Sequence, residues 1–348
     1  MSEAKERDES KRPRWLRRLL TRFAVLALAL FVVAVAAEIG LRMVDEFPPV
    51  VRTYVGEHED RESERFVPDE QIGWRMKGDV RFTATTEGRK VLYVADRDGF
   101  RVGTTPDRYA AVRKHSVAIV GDSFVWGFGV PYQKTLPALL QRLNARVRVR
   151  TFGLPGFGLD QIALCLEDRA LPWKAKLVIV GLVLDDFDRS FDAFRRTEGF
   201  NKPCFVMDAG RLRRRTADDR PGALGDWLQN RSRLYGIGVR ARRTLARRHG
   251  TGQWWALNAA LLDRMIKAGK DAGVPLVFVH IPASTGEAFP ALIEHLEAAG
   301  QPLIDLRDAP NLGSFFFKID GHLNDRGHEM MAVYLSEWLL YHHRELYR

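Results

Sequence analysis

The apolar run Val117-Ala118-Ile119-Val120 ends in Gly121-Asp122-Ser123, with Gly127 and Gly129 close behind. A serine just past the end of a strand presents a hydroxyl that becomes a nucleophile if a base can take its proton. Near the other end of the chain, "KIDGHLND" supplies Asp320 and His322, two residues apart. A carboxylate on one imidazole nitrogen fixes the tautomer and stabilises the imidazolium, which leaves the other nitrogen for the serine proton. A second reading stays open: Ser123 as the N-cap of an ordinary strand-to-helix turn. His280 ends the run "VFVHI" and is either a packed strand-end residue or a substrate contact. His328 falls inside the last helical pattern and is expected at the surface. Asp185, Asp186, Asp188 and Asp320 have no His or Cys partner at ligand spacing, so no metal is expected there.

These side chains need a scaffold. From residue 115 onward, "SVAIV", "VRVRTFGL", "KLVIVGLVL", "VPLVFVHI" and "QPLIDL" are apolar runs of strand length. Helical spacings separate most of them. Leu136, Leu139, Leu140 and Leu143 form one stripe, with Thr135 as N-cap and Pro137 in the first turn; Leu159, Ile162, Ala163 and Leu166 form another. Leu261, Leu262, Met265 and Ile266 line a helix ending at Gly273, and Met331, Leu335, Trp338 and Leu339 line the last one. Near-continuous apolar strands alternating with amphipathic helices predict a parallel sheet covered on both faces. Ligands of such sheets bind beyond the carboxyl ends of the strands, where Ser123 lies.

The chain has 348 residues, 46% of them hydrophobic and 28% charged, which excludes wholesale disorder. Its formal charge of +10 is unevenly spread. Residues 1–22 hold 8 Lys/Arg against 4 Asp/Glu, and residues 189–250 hold 16 against 6, so the remainder is acidic. The first block precedes "FAVLALALFVVAVAA" (23–37), which "IGL" extends after Glu38. The run is short for a bilayer unless Glu38 lies at the interface and Leu19 and Leu20 contribute. Arginines on its N-terminal side place the N-terminus in the cytoplasm and the rest outside. A cleaved signal peptide, with Ala34-Val35-Ala36 as the cleavage site, is the rival reading. The domains expected are a basic tail (1–22), a transmembrane helix (23–41), a strand-rich preface (42–113), and an α/β domain (114–348). An Arg-rich insertion at 188–250 interrupts the last of these. Its arginines are either a solvated face or a cationic flap that attracts anionic substrate or lipid headgroups. Cys165 and Cys204 are either separate buried thiols or one bridge.

With these residues in place, the sequence resembles the SGNH/GDSL hydrolase family. "GDS" (121–123) matches its first block, "TFGLPGFGLDQ" (151–161) resembles the second, "GLVLDDFD" (181–188) the third and "DGHLN" (320–324) the last. "PDEQIGW", "DGFR", "KPCFVMDAGRL" and "RSRLYG" look like segments of the branch that carries an N-terminal membrane helix. The likeness runs over roughly residues 65–340. GDS alone is a weak motif, but four blocks in order are a specific combination.

The resemblance implies a three-layer α/β/α sandwich with a parallel five-stranded flavodoxin-like sheet. It implies Ser123 as nucleophile, His322 as base and Asp320 as its orienting acid. The backbone N–H groups of Ser123 and Gly156 would serve the oxyanion. Asp185 stands where the family has an oxyanion-donating Asn, and an ionised carboxylate only accepts. Thr151 replaces the usual Asn of the second block, and Leu323 replaces a proline after the base. His280 and Asp186 are secondary candidates for touching substrate.

The expected activity is hydrolysis of an ester outside the cytoplasm, in the periplasm, by a single-pass membrane protein without a cofactor. The expected partners are an ester-bearing substrate, an anionic glycan or lipid among the possibilities, the membrane, and an envelope protein, with no nucleic acid. Acyl transfer to an envelope polysaccharide, or carbohydrate binding on a degraded hydrolase fold, are the alternatives.

Overall fold

A computed structural model of the protein describes residues 14–43, 65–104, 114–192, 194–195, 200–215, 232–238, 241, 245, 252–282 and 289–348. The basic tail before Arg14, residues 44–64 and 105–113, and most of the insertion beyond 238 lie outside the described residues. The chain divides into two compact units, Met1–Arg52 with Pro221–Arg242, and Thr53–Arg220 with Arg243–Arg348.

In the first unit, helix α1 (Arg14–Met43) has 30 residues, about 45 Å at 1.5 Å per residue. Its stretch Arg18–Met43 is long and apolar enough to cross a bilayer. Glu38 interrupts the apolar surface, and an unpaired carboxylate there would be costly. It accepts hydrogen bonds from Arg42 Nε at 2.9 Å, Ser232 Oγ at 3.0 Å, and the backbone N–H groups of Arg233 and Leu234 at 3.0 Å each. Arg233 also donates to the Leu41 carbonyl at 2.7 Å. A helical turn of the Arg-rich insertion, 233–238, therefore satisfies the one acid of the apolar helix's second half.

In the second unit the preface contributes strands β1 (Phe66–Asp69), β2 (Gly73–Met76), β3 (Arg81–Thr86) and β4 (Arg89–Val94), paired as two antiparallel hairpins. The remaining strands are β5 (His115–Val120), β6 (Val147–Thr151), β7 (Leu177–Leu182), β8 (Phe194–Arg195), β9 (Phe200–Asn201), β10 (Phe205–Asp208), β11 (Arg211–Arg214), β12 (Leu276–His280) and β13 (Leu303–Asp305). The helices are α2 (Ser123–Trp126), α3 (Leu136–Leu143), α4 (Leu159–Cys165), α5 (Leu184–Arg189), α6 (Gly252–Asp271), α7 (Pro290–Ala298) and α8 (Asp325–His342).

The five long apolar runs form one parallel sheet of order β13-β12-β7-β5-β6. That is the flavodoxin-like order, with β5 and β7 flanking the point where the winding reverses. Successive side chains of each strand enter opposite cores. Val117, Ile119, Ile179 and Val279 pack with Leu136 and Leu140 of α3 and Met331 and Leu335 of α8. Ala118, Val120, Val180 and Phe278 pack with Ile162 of α4, Leu261 and Met265 of α6, and Leu292 of α7. The result is the three-layer α/β/α sandwich expected.

Two local expectations are corrected. Thr135 occupies the N-cap position of α3 without a side-chain cap; its hydroxyl donates instead to the Tyr132 carbonyl at 2.6 Å. His328 is not at the surface. It is fully buried and its Nδ1 accepts the Leu136 N–H at 3.2 Å. The reason is helical phase, because 328, 331 and 335 share one face of α8. Burial, helped by the charge of Arg101, pushes the His328 pKa down to about 3, so the ring is neutral. Cys165 and Cys204 are separate buried thiols. Within the described insertion, Arg213 pairs with Asp208 at 2.8 Å and Arg214 donates to the Glu70 carbonyl at 3.1 Å.

Candidate active site

Three segments that leave the carboxyl ends of adjacent strands lead to the site: the turn 121–123 into α2 after β5, the loop 152–158 after β6, and Val183 with α5 after β7. The first must turn sharply from strand into helix. Gly121 has φ of +156°, and a Cβ there would lie 2.8 Å from both the Gly181 carbonyl and Val125. The N-cap of α2 is Asp122, whose Oδ1 accepts the Phe124 N–H at 2.9 Å. Ser123 is thus the first helical residue and not the cap, so its hydroxyl is free of that duty. The one-turn helix stops at Gly127, in the left-handed region with φ of +84°.

Ser123 Oγ lies 2.7 Å from His322 Nε2, and His322 Nδ1 lies 2.5 Å from Asp320 Oδ1. The carboxylate beside Nδ1 favours the proton there, which leaves Nε2 as acceptor for the serine hydroxyl. The His322 N–H also donates to Asp320 Oδ1 at 3.2 Å. The imidazole is nearly buried, with the rings of Phe124 and Phe128 each centred 4.7 Å away. The segment carrying the acid is pinned from the preface, since Glu87 in the β3–β4 turn accepts from the N–H groups of Ile319 and Asp320 at 2.6 and 2.9 Å. Leu323, directly after His322, is 1% exposed and sits in the apolar core. Asn324 then caps α8 by accepting from Arg326 and Gly327.

Gly156 adopts φ of +77°, which the loop between β6 and α4 requires. No backbone acceptor among the described residues is bonded by the N–H of Ser123 or of Gly156. The other candidates are placed differently. Asp185 is 71% exposed at the start of α5, 3.9 Å from Arg189 Nη2. Asp186 is fully buried, and its oxygens accept the Val183 N–H and Arg189 Nη1, both at 2.9 Å, so it is not offered to substrate. Burial, reinforced by the charge of Asp122, pushes the Asp186 pKa well up. His280 is 1% exposed with Nδ1 3.2 Å from Asp305, as a packed strand-end residue would be.

Sequence reading missed several groups that hold this site. Arg189 Nη1 contacts Asp122 Oδ2 at 2.9 Å and the Phe157 carbonyl at 3.1 Å as well as Asp186. Burial opposes its charge, but Asp122, Asp186 and Asp185 together hold its pKa above the ordinary value. Arg101, of the "DGFR" segment, is 1% exposed and donates to the carbonyls of Trp126, Gly127 and Val130, the turn that follows the serine. Its guanidinium stacks on Tyr93 and Trp126, and Tyr93 Oη accepts the Gly129 N–H at 2.8 Å. Lys202 of the insertion forms a wholly buried ion pair with Asp160, at the start of α4. Arg101 and Lys202 lie inside the resembling segments "DGFR" and "KPCFVMDAGRL", whereas Arg189 lies one residue past "GLVLDDFD".

No protein-family model matches the chain, and no curated protein matches it. Among solved structures it is similar to a putative lipolytic protein of the G-D-S-L family from Desulfitobacterium hafniense DCB-2, at 14% identity over 64% of this chain and 99% of that one, with a TM-score of 0.38. A psychrotrophic esterase, EstA, from Pseudoalteromonas sp. is similar at 12% identity over 65% and 99%, with a TM-score of 0.40. A GDSL-like lipase from Bacteroides thetaiotaomicron VPI-5482 is similar at 10% identity over 68% and 91%, with a TM-score of 0.38.

Proposed function

We propose that the chain is a serine esterase of SGNH type, anchored by α1, whose α/β domain works outside the cytoplasm on an ester-bearing substrate. The observation that carries this reading is the continuous Ser123–His322–Asp320 contact, 2.7 Å and 2.5 Å, at the carboxyl end of the sheet. Ser123 Oγ attacks the ester carbonyl while its proton passes to His322 Nε2. The C–O π pair moves onto the carbonyl oxygen, where the N–H groups of Ser123 and Gly156 are the donors. Asp320 stabilises the imidazolium without taking its proton. Collapse expels the alcohol, which takes the His322 proton, and leaves an acyl-Ser123 ester. Water, deprotonated by His322, then releases the acid and restores Ser123. This sequence calls for no cofactor.

An acceptor hydroxyl in place of water would turn the same site into an acyltransferase, and the exposed Asp185 carboxylate favours keeping that second reading. The test uses the full chain in detergent micelles with a fluorophosphonate probe and short-chain esters. Labelling on Ser123, abolished in Ser123→Ala and His322→Ala, is expected. Labelling elsewhere, or a folded wild type that neither labels nor turns over ester, would overturn the reading.

A further inference from the structure

The Ser123 hydroxyl has one proton and two acceptors. His322 Nε2 lies 2.7 Å from Oγ and Asp122 Oδ2 lies 3.3 Å from it. Donation to His322 leads to attack; donation to Asp122 does not. Asp122 is 1% exposed, and a carboxylate this near the nucleophile also repels the negative charge that must develop on the substrate oxygen. The same Oδ2 accepts Arg189 Nη1 at 2.9 Å. One nitrogen of Arg189 therefore meets the carboxylate beside the nucleophile, the Phe157 carbonyl next to Gly156, and Asp186 on the third segment.

We propose that Arg189 is a positioning residue of this site: it neutralises Asp122, so that the Ser123 proton is directed to His322 and an oxyanion can form beside it. The proposal rests on Ser123 and His322 acting as read above. Arg189 lies one residue past the third resembling block, 181–188, and the resemblance gives it no role.

The ordinary alternative is that Arg189 merely ties three segments together. The two readings differ in the electrostatics felt by His322. The charged and titratable groups near it are Asp320 in its own loop, whose backbone Glu87 of the preface holds, Asp122 backed by Arg189 at the strand ends, and His328 of α8, itself flanked by Arg101 and Asp325. Removing the Arg189 cation leaves the Asp122 carboxylate unopposed, which stabilises the imidazolium. Removing the Asp122 carboxylate leaves Arg189 unopposed, which destabilises it. A tie between segments predicts neither change.

The experiment measures kcat/KM against pH for a neutral short-chain ester, with the full chain in detergent micelles. Arg189→Met is expected to lower kcat by about 10²-fold, on the scale of one lost oxyanion contact. It should move the acidic limb up by about one pH unit, the size expected when a neighbouring charge is uncovered. KM should change little. Asp122→Asn keeps an oxygen for the Phe124 cap and should move the limb down. The double variant should return the limb toward wild type and recover part of kcat. Arg189→Lys should retain more of the rate than Arg189→Met. Limbs that stay in place in both single variants, or a double variant as shifted as Arg189→Met, would overturn the proposal. If Arg189→Met does not fold, the downward limb of Asp122→Asn decides alone. A wild type that fails to label at Ser123 would instead remove the site reading itself.

Discussion

Lys202→Met tests whether the insertion is built into the fold by charge. Lys202 Nζ bonds Asp160 Oδ2, and both side chains are 0% exposed. Taking away one partner of a buried pair typically costs about 3–5 kcal/mol, whereas replacing both with apolar groups of similar size is near neutral or stabilising. Against a typical total stability of about 5–15 kcal/mol, the single loss is large. Burial raises the Asp160 pKa to about 6 even with Lys202 opposing it. Its folded pKa thus exceeds the unfolded value of about 3.9, so the folded state binds more protons in between. That contribution is complete below about pH 4 and falls by about 3 kcal/mol as pH rises through 6.

Below pH 6 the wild-type pair is already partly discharged, so Lys202→Met should cost its full amount near pH 8 and clearly less near pH 5. The assay is urea unfolding of the full chain in micelles, read by tryptophan fluorescence. Trp74 is a suitable reporter, 5.3 Å from Phe157 and 6.3 Å from Phe200 by ring centroids. Asp160→Leu with Lys202→Met should recover most of the loss. A single variant as stable as wild type at pH 8, or a double variant no better than the single, would refute this account of the pair.

Two further outcomes are expected. Asp185→Asn supplies an amide donor at the third segment and should raise kcat for simple esters by about tenfold above pH 7. That is less than the 10²–10³ of one oxyanion donor, because the side chain is 71% exposed and water competes. A tenfold loss at every pH would give the carboxylate its own task and favour acyl transfer to a hydroxyl. A periplasmic-active reporter fused after Arg348 should be active and the protein should resist a high-salt membrane wash, whereas a reporter active only in the cytoplasm would reverse the topology.

The scaffold was legible because burial alternates along each strand and recurs with helical spacing, both local patterns. Ser123, His322 and Asp320 were legible as residue types at turns, and their meeting across 199 residues followed from the strand order. His328 was misread although its phase with Met331 and Leu335 was there to see. For Asp186 and His280 type and position left two readings open, because they do not reveal that Arg189 or Asp305 pairs with the side chain. Arg101, Arg189 and Lys202 were invisible as functional groups. An arginine-rich chain gives no local sign of which cation is buried, and apart from Asp185 and Asp186 beside Arg189 their partners lie 25 to 67 residues away.

Those buried contacts share a physical purpose that apolar packing does not serve. An oxyanion hole depends on the direction of backbone N–H groups, and that direction belongs to the peptide plane. The plane that carries the Gly156 N–H also carries the Pro155 carbonyl, which accepts Trp74 Nε1 at 3.2 Å. In a trans peptide the two groups point oppositely, so the indole aims the N–H away from itself. The plane that carries the Ser123 N–H ends in the Asp122 carbonyl, which accepts the Trp126 N–H at 3.1 Å. Arg189 holds the plane two further on from that of the Gly156 N–H, the plane of the Phe157 carbonyl and the Gly158 N–H. Trp74 is completely buried and belongs to the preface, ahead of the sheet. The preface therefore acts on the candidate site through its backbone: Trp74 orients the Gly156 peptide, Glu87 accepts from the N–H groups of Ile319 and Asp320, and Arg101 donates to the carbonyls of the turn after Ser123. Without the preface, the Ser123 plane would keep its bond from Trp126, but the plane that carries the Gly156 N–H would lose the bond from Trp74.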